Sequence, residues 1–249
     1  MWIAFRGSIP KEAAFPEANE DMVTVCEDAE RIALSDGASE SFDAQRWARL
    51  LTERFVIDPG VDGQWVQERL AVYRSAFVFN ALSWAQQMAF ERGSFATLLG
   101  IQIQRQLGRI DILAIGDSLA LLVDGNMLVA SWPYADPEQF NTRPTLLSTK
   151  ETLNAFMGDP NFDTTHRTRF DLTALADPVL LCTTDALGQW VLREGNEALT
   201  RLQAIRSEDA LRDLVLAERA GKRMRTDDST LLVVHLRQPE EAHGGLPLA

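Results

Sequence analysis

The stretch FATLLGIQIQRQLGRIDILAIGDSLALLVDGNMLVASW, residues 95–132, decides the fold. It holds four apolar runs, 95–104, 110–117, 119–124 and 127–132, each of strand length and rich in Ile, Leu and Val. Between them stand Gly116-Asp117 and Asp124-Gly125-Asn126, residue types that suit tight hairpin turns. Consecutive strands joined by tight turns make an antiparallel meander, which is the expectation for the centre of the chain.

Working outward, MVTVCE (22–27) and RIALSD (31–36) read as two further strands. Ser39 and Ser41 then offer N-caps to a helix whose Ala44, Trp47, Ala48, Leu51 and Phe55 recur at helical spacing. A second helical region spans Gly63 to Arg92, with Trp65, Leu70, Tyr73, Phe77, Leu82 and Trp84 on its buried side. Residues 133–178 are irregular, with one short helix near 149–156. PVLLCTTD (178–185) is a strand, NEALTRLQAI (196–205) and EDALRDLVLAERA (208–220) are helices, and STLLVVHL (229–236) is a final strand. Strands grouped with strands and helices with helices predict an α+β layered fold, with antiparallel sheets and helices outside. Residues 1–237 are expected to form a single domain, and the Pro-, Gly- and Glu-rich segment 238–249 a flexible tail.

Composition narrows the function. The chain has 249 residues, 46% hydrophobic and 24% charged, which is ordinary for a soluble globular protein with a sizeable core. Its net charge of −12 repels phosphate backbones and anionic lipids, so neither nucleic acid nor membrane is an expected partner. A phosphorylated substrate remains compatible, because a bound divalent cation reverses the local sign. Cys26 and Cys182 are read as buried free thiols in a reducing compartment. No signal-peptide pattern opens the sequence and no apolar run is long enough to span a bilayer, so the expected location is cytoplasmic.

One pattern carries chemistry. Asp36, Asp117 and Asp185 each follow an apolar run; Glu20 and Asp21 precede one, as do Asp227 and Asp228. Alone, an Asp after a strand is most simply a turn residue. Together, antiparallel pairing places strand ends beside strand starts, so these carboxylates can gather at one edge. Such a cluster repels itself and calls for a hard divalent cation with oxygen ligands, Mn²⁺ or Mg²⁺. Histidine chemistry has poor material: His166, His235 and His243 are the only histidines. No phosphate-binding GxxxxGK[ST] loop and no GxSxG elbow occurs.

Six segments, NEDMVTV (19–25), ALSDGASES (33–41), FATLL (95–99), AIGDSLALLV (114–123), LLCTTDALGQWVL (180–192) and RTDDSTLLVV (225–234), together resemble the protein phosphatase 2C-like (PPM) family of metal-dependent Ser/Thr phosphatases, in its bacterial branch. The resemblance implies a sandwich of two antiparallel β-sheets flanked by α-helices. It implies that Asp36 bridges two Mn²⁺ or Mg²⁺ ions with the Gly37 carbonyl as a further ligand, that Asp185 and Asp227 complete one metal site, and that Glu20 and Asp21 serve the other. Asp117 with Asp185 would hold a third ion. Asp36 and Asp185 are the expected catalytic centre, where a metal-activated water displaces the serine or threonine oxygen of a phosphorylated protein. A Ser/Thr kinase whose work is reversed is the expected partner. Two departures stand out. The arginine that many members place four residues before the motif Glu is Pro16 here, leaving Arg6 or Lys11 as substitutes, and the histidine of DGHGG is missing. They motivate an alternative, a catalytically weak or inactive phosphatase-like module that binds a phosphoprotein or kinase. A phosphatase for small phosphorylated metabolites is a third reading.

Overall fold

The structure is a computed structural model that describes residues 1–39 and 41–236; the expected tail at 238–249, with His243, lies outside the described residues. Two five-stranded antiparallel sheets face each other. One runs in the order β1 (Trp2–Ile9), β12 (Ser229–His235), β11 (Pro178–Thr183), β7 (Leu119–Asp124), β8 (Met127–Trp132). The other runs β10 (Arg167–Asp171), β6 (Arg109–Ile115), β5 (Leu98–Gln104), β3 (Arg31–Ser35), β2 (Met22–Cys26). A short pair, β4 (Phe95–Ala96) with β9 (Leu147–Ser148), stands apart. The sandwich that the family resemblance implied is present.

Side-chain alternation divides the core into three layers. Along β7, Leu119, Leu121 and Val123 turn outward while Ala120 and Leu122 turn toward the other sheet. Leu181 against Cys182, and Leu231 against Leu232, divide in the same way. The outward set packs on α5 (Asp185–Glu194), α6 (Asn196–Gln203) and α7 (Glu208–Ala220). The inter-sheet layer is lined by Ile32, Leu34, Leu99, Ile101, Ile112, Leu122, Leu180 and Val234. The outer face of the second sheet carries α1 (Ala44–Ile57) and α2 (Gly63–Ser75), with Trp47, Leu51, Phe55 and Leu70 buried against Leu98, Leu113 and Ile115. Central strands are thus covered on both faces, which is why their sequences read as nearly unbroken apolar runs.

Several expectations need correction. The segment 95–132 is no single meander: β5–β6 is one hairpin and β7–β8 another, in different sheets. Gly116-Asp117 is therefore a crossing between sheets and not a hairpin turn. Gly116 has φ +104, and a Cβ there would stand 2.5 Å from Thr97 Cγ2, so both conformation and space demand glycine. The cap of α1 is Asp43, whose carboxylate accepts from the Arg46 N–H at 3.3 Å, not Ser39 or Ser41. Ser41 Oγ instead donates to the Ala38 carbonyl at 2.7 Å and steadies the loop after β3. The helical region 63–92 breaks after α2 and resumes as α3 (Trp84–Arg92), which Ser83 and Gln86 start with a reciprocal capping box. Trp84, expected inside, is 77% exposed. β1 and β10 were unread because Gly7 and the charged sequence RTRFD blur their strand pattern. α5, also unread, begins on Asp185 itself. Among the described residues, no helix is long and apolar enough to cross a membrane.

Candidate metal centre

The antiparallel register brings the acidic strand ends together. Met22 at the start of β2 pairs with Ser35 at the end of β3, so Asp21 and Asp36 follow as neighbours. Leu98 at the start of β5 pairs with Ile115 at the end of β6, next to Asp117. In the facing sheet, Thr183 at the end of β11 pairs with Leu231 near the start of β12, which sets Asp185 beside Asp227. A cleft of about 180 Å³ opens at this edge, with Asp36, Asp117, Asp185 and Asp227 on its walls and Ser39, Thr97 and Leu146 around them.

Hydroxyl groups fix the frame. The Asp36 N–H donates to Thr97 Oγ1 at 2.8 Å, and the Thr97 N–H returns a bond to the Asp36 carbonyl at 2.9 Å. Thr97 and Ser118 share a hydroxyl bond at 2.7 Å, so the loops holding Asp36 and Asp117 are tied. Asp21 is buried; its Oδ2 accepts from Thr184 at 3.0 Å and Thr230 at 2.6 Å, while its Oδ1 is buried without a partner among the described residues. Gly37 is tightly enclosed: a Cβ would stand 3.0 Å from the Glu20 carbonyl, which accepts from the Gly37 N–H at 3.2 Å.

The charges oppose one another strongly. Burial pushes Asp36 far above the ordinary carboxylate range, and the charges of Asp21, Asp185, Asp117 and Asp227 push it further. Burial also raises Asp21 well above that range, with Asp228 and Asp185 adding to it. Asp117 is raised by burial, and Asp185 is pushed up to about 7 by burial and by the charges of Asp117 and Asp227. These are carboxylates in want of a counter-cation.

Tested on donor chemistry, the residues fit a hard divalent cation: the donors are all oxygens, mutually repelling and desolvated, with one buried carboxylate oxygen unbonded at Asp21. Among the described residues no three His, Cys, Asp or Glu groups are drawn to metal-ligand spacing; the carboxylates surround the cleft and do not converge on one point.

Glu20 stands differently from its expected role. Its Oε2 accepts from Lys11 Nζ at 2.8 Å and from Ser39 Oγ at 2.9 Å, and it does not line the cleft. Asp228, the second acid of its motif, does not face the cleft either. Its two oxygens accept the Lys11 N–H at 2.6 Å and the Glu20 N–H at 2.8 Å, clamping both ends of loop 11–20. Of the two candidate cations for phosphate, Lys11 reaches the rim through Ser39, at 2.6 Å, whereas Arg6 is exposed on β1 without an ion pair among the described residues. Sequence reasoning missed Arg225. Its Nη1 lies 3.9 Å from Asp185 Oδ2, and its Nη2 donates to Asn141 Oδ1 at 2.8 Å. His166 is turned away, with Nδ1 at 2.9 Å from the Ala114 carbonyl and its ring against Phe162.

No protein-family model matches the chain, and no curated protein matches it by sequence. Solved structures do match. The serine/threonine phosphatase PstP/Ppp of Mycobacterium tuberculosis aligns over 95% of this chain and 100% of its own, at 19% identity and TM-score 0.56. A bacterial serine phosphatase aligns over 94% and 98%, at 14% identity and TM-score 0.58. The catalytic domain of PstP in complex with two manganese ions aligns over 92% and 96%, at 19% identity and TM-score 0.54. The chain has the fold of the protein phosphatase 2C-like (PPM) phosphatases.

Proposed function

We propose that the chain is a Mn²⁺- or Mg²⁺-dependent phosphatase that hydrolyses phosphoserine and phosphothreonine in proteins. The observation that carries this reading is the meeting, at one edge of the sandwich, of Asp21, Asp36, Asp117, Asp185 and Asp227 from both sheets. The fold shared with serine/threonine phosphatases, one of them solved with two manganese ions, supports it.

Asp36 would touch both ions. Asp185 and Asp227 would complete one site, and Asp21 and the Gly37 carbonyl the other, which Glu20 would join only on leaving Lys11 and Ser39, with Asp117 and Asp185 able to take a third. When bound, the ions supply the Lewis acidity that makes water nucleophilic near neutral pH and that offsets phosphate charge. The chain supplies the rest. Thr97 and Ser118 tie the loops that carry Asp36 and Asp117, and Thr184 and Thr230 hold the Asp21 carboxylate. Lys11 and Arg225 place cations at the rim, in the role that Pro16 cannot fill. Lys11 stays charged there: burial opposes its charge, but Glu20, Asp228 and Asp227 outweigh burial and raise its pKa.

The deciding assay is hydrolysis of p-nitrophenyl phosphate and of a phosphothreonine peptide with added Mn²⁺. Metal-dependent turnover in the wild type, abolished in Asp36→Asn, is the expected result; no turnover, or equal turnover in both, removes the proposal.

One observation favours the phosphatase-like binding module as a second reading: Glu20 is engaged by Lys11 and Ser39 and is not free for an ion. Calorimetry with Mn²⁺ separates the two, since heat-releasing uptake by the folded protein supports the enzyme and no uptake supports the module.

A further inference from the structure

A second cavity, of about 520 Å³, borders the acidic cleft. Ile9, Pro16 and Leu216 give it an apolar lining, and Lys11, Arg212 and Arg219 place cations on its walls. Two of these residues connect it to the cleft. Lys11 Nζ bonds Ser39, which lines the cleft, and Glu20 beside it. Arg219 donates to the backbone carbonyl of Asp227, whose own position lines the cleft, and to the Pro10 carbonyl at 3.0 Å. Asp228 fixes loop 11–20, which forms one wall, by its two backbone bonds. The cavity is thus held rigidly at the flank of the reaction centre.

Its chemistry is unusual for this molecule. In a chain of net charge −12, its walls carry three cations and one acid, Glu208. Arg212 is paired to Glu208 at 2.5 Å and to Asp209 at 2.7 Å, with those acids' side chains 59% and 88% exposed. Such solvated pairs are worth about 0–1 kcal/mol and exchange readily for another carboxylate. Arg219 Nε is buried in the wall without a partner among the described residues.

We propose that this cavity is a substrate subsite: it seats an apolar side chain close in sequence to the phosphorylated residue of a protein substrate, with an acidic residue of the same segment on Arg212. The inference rests on the phosphatase reading and adds its sequence preference. Lys11, bonded to Ser39 on the cleft wall, joins the cleft to the cavity that Pro16 and Leu216 line. Recognition by an apolar pocket with a cationic rim favours a segment such as Leu-Glu and disfavours one such as Ser-Lys.

The test compares phosphothreonine peptides bearing Leu-Glu or Ser-Lys on the N-terminal or C-terminal side, with p-nitrophenyl phosphate as a substrate too small to reach the subsite. In one of the two orders, kcat/KM for the Leu-Glu peptide is expected to exceed that for Ser-Lys about tenfold, and Arg212→Glu or Leu216→Asp should shrink the ratio to about twofold or less. Melting curves confirm that both variants fold. Turnover of p-nitrophenyl phosphate without peptide discrimination, or with discrimination that both variants keep, overturns the subsite and leaves the phosphatase reading standing. If no substrate is turned over, anisotropy of a fluorescent unphosphorylated Leu-Glu peptide decides: binding lost in Leu216→Asp upholds the subsite, and absent or unaltered binding overturns it. A concentration-dependent dimer dissolved by Arg212→Glu would give the cavity to a second copy of the chain and also overturn the proposal.

Discussion

Asp228 and Asp36 are both motif acids, but their surroundings give them opposite tasks. Asp36 feels the charges of four other carboxylates, three of them on the cleft walls, whereas Asp228 turns both oxygens to backbone N–H groups of loop 11–20. Asp228→Asn replaces one acceptor with an amide donor aimed at an N–H, so the loop loosens and Glu20 loses its place. Groups of this kind, one step removed from the ligands, change metal affinity by about 10–100-fold. We expect a loss of that order in Mn²⁺ affinity by calorimetry, with the fold intact by circular dichroism. Gly116→Ala belongs to the same scale. Its strained φ and its 2.5 Å approach to Thr97 Cγ2 should cost about 1–3 kcal/mol in denaturant melts. Single residues also mark the limit of what sequence shows. That Asp36, Asp117, Asp185 and Asp227 would come together was legible because each sits close to a strand end. Arg225 was not, because its approach to Asp185 depends on the loop at Phe140 and Asn141, some eighty-five residues away in sequence. The engagement of Glu20 with Lys11 was hidden for the same reason: a motif names a residue type and leaves its rotamer open.

At the level of elements, helices α5, α6 and α7 meet on a buried acid. Glu218 is 3% exposed and accepts from Arg201 at 2.9 Å, Arg223 at 2.6 Å and Trp190 Nε1 at 3.2 Å. These bonds, that to Arg223 first, outweigh burial and hold its pKa down at about 2. A depressed carboxylate contributes stability that is complete above its ordinary value near 4.5 and fades as pH falls toward 2. Glu218→Gln should therefore lower the melting temperature at pH 7 and flatten acid unfolding between those limits, an effect on the order of 2–3 kcal/mol. Element reading from sequence succeeded where periodicity was clean, as in α1, α6, α7, β7, β8 and β12. It failed at β10, an edge strand whose charged RTRFD pairs only with β6, and at α3, where apolar residues face solvent. The hairpin expected at Gly116 failed for a different reason: Gly-Asp-Ser serves a sheet crossing as well as a turn, and only pairing partners distinguish them.

On the metal-dependent reading, the molecule as a whole would couple proton uptake to cation uptake. Asp185 rises from its ordinary 3.8 to about 7, mainly by burial. A raised carboxylate stabilises the fold below its ordinary value, and that contribution is lost as pH climbs through the raised one. The metal-free protein should thus lose stability from this cleft between pH 4 and 7, the window that Asp185 sets. On that reading bound Mn²⁺ would remove the penalty, and protons would compete with it. The expected outcome is a melting-temperature gain from Mn²⁺ that is small at pH 5 and grows to pH 8 in differential scanning fluorimetry; a gain independent of pH would contradict the coupling. The layered architecture that makes this possible was legible from strand and helix grouping, while the three-layer division of the core emerged only with the pairing of the sheets.

The split ownership of the cleft has a mechanical side. Asp21 and Asp36 hang from one sheet, Asp185 and Asp227 from the other, and Asp117 lies on the crossing between them. Ions held between them would rivet the two halves of the sandwich at one end, in addition to the apolar packing between the sheets and the Met1–Glu30 ion pair. Pulled apart in an optical trap, the loaded protein would rupture at higher force than the bare one, and the difference would vanish when the rivet's central acid is neutralised by Asp36→Asn.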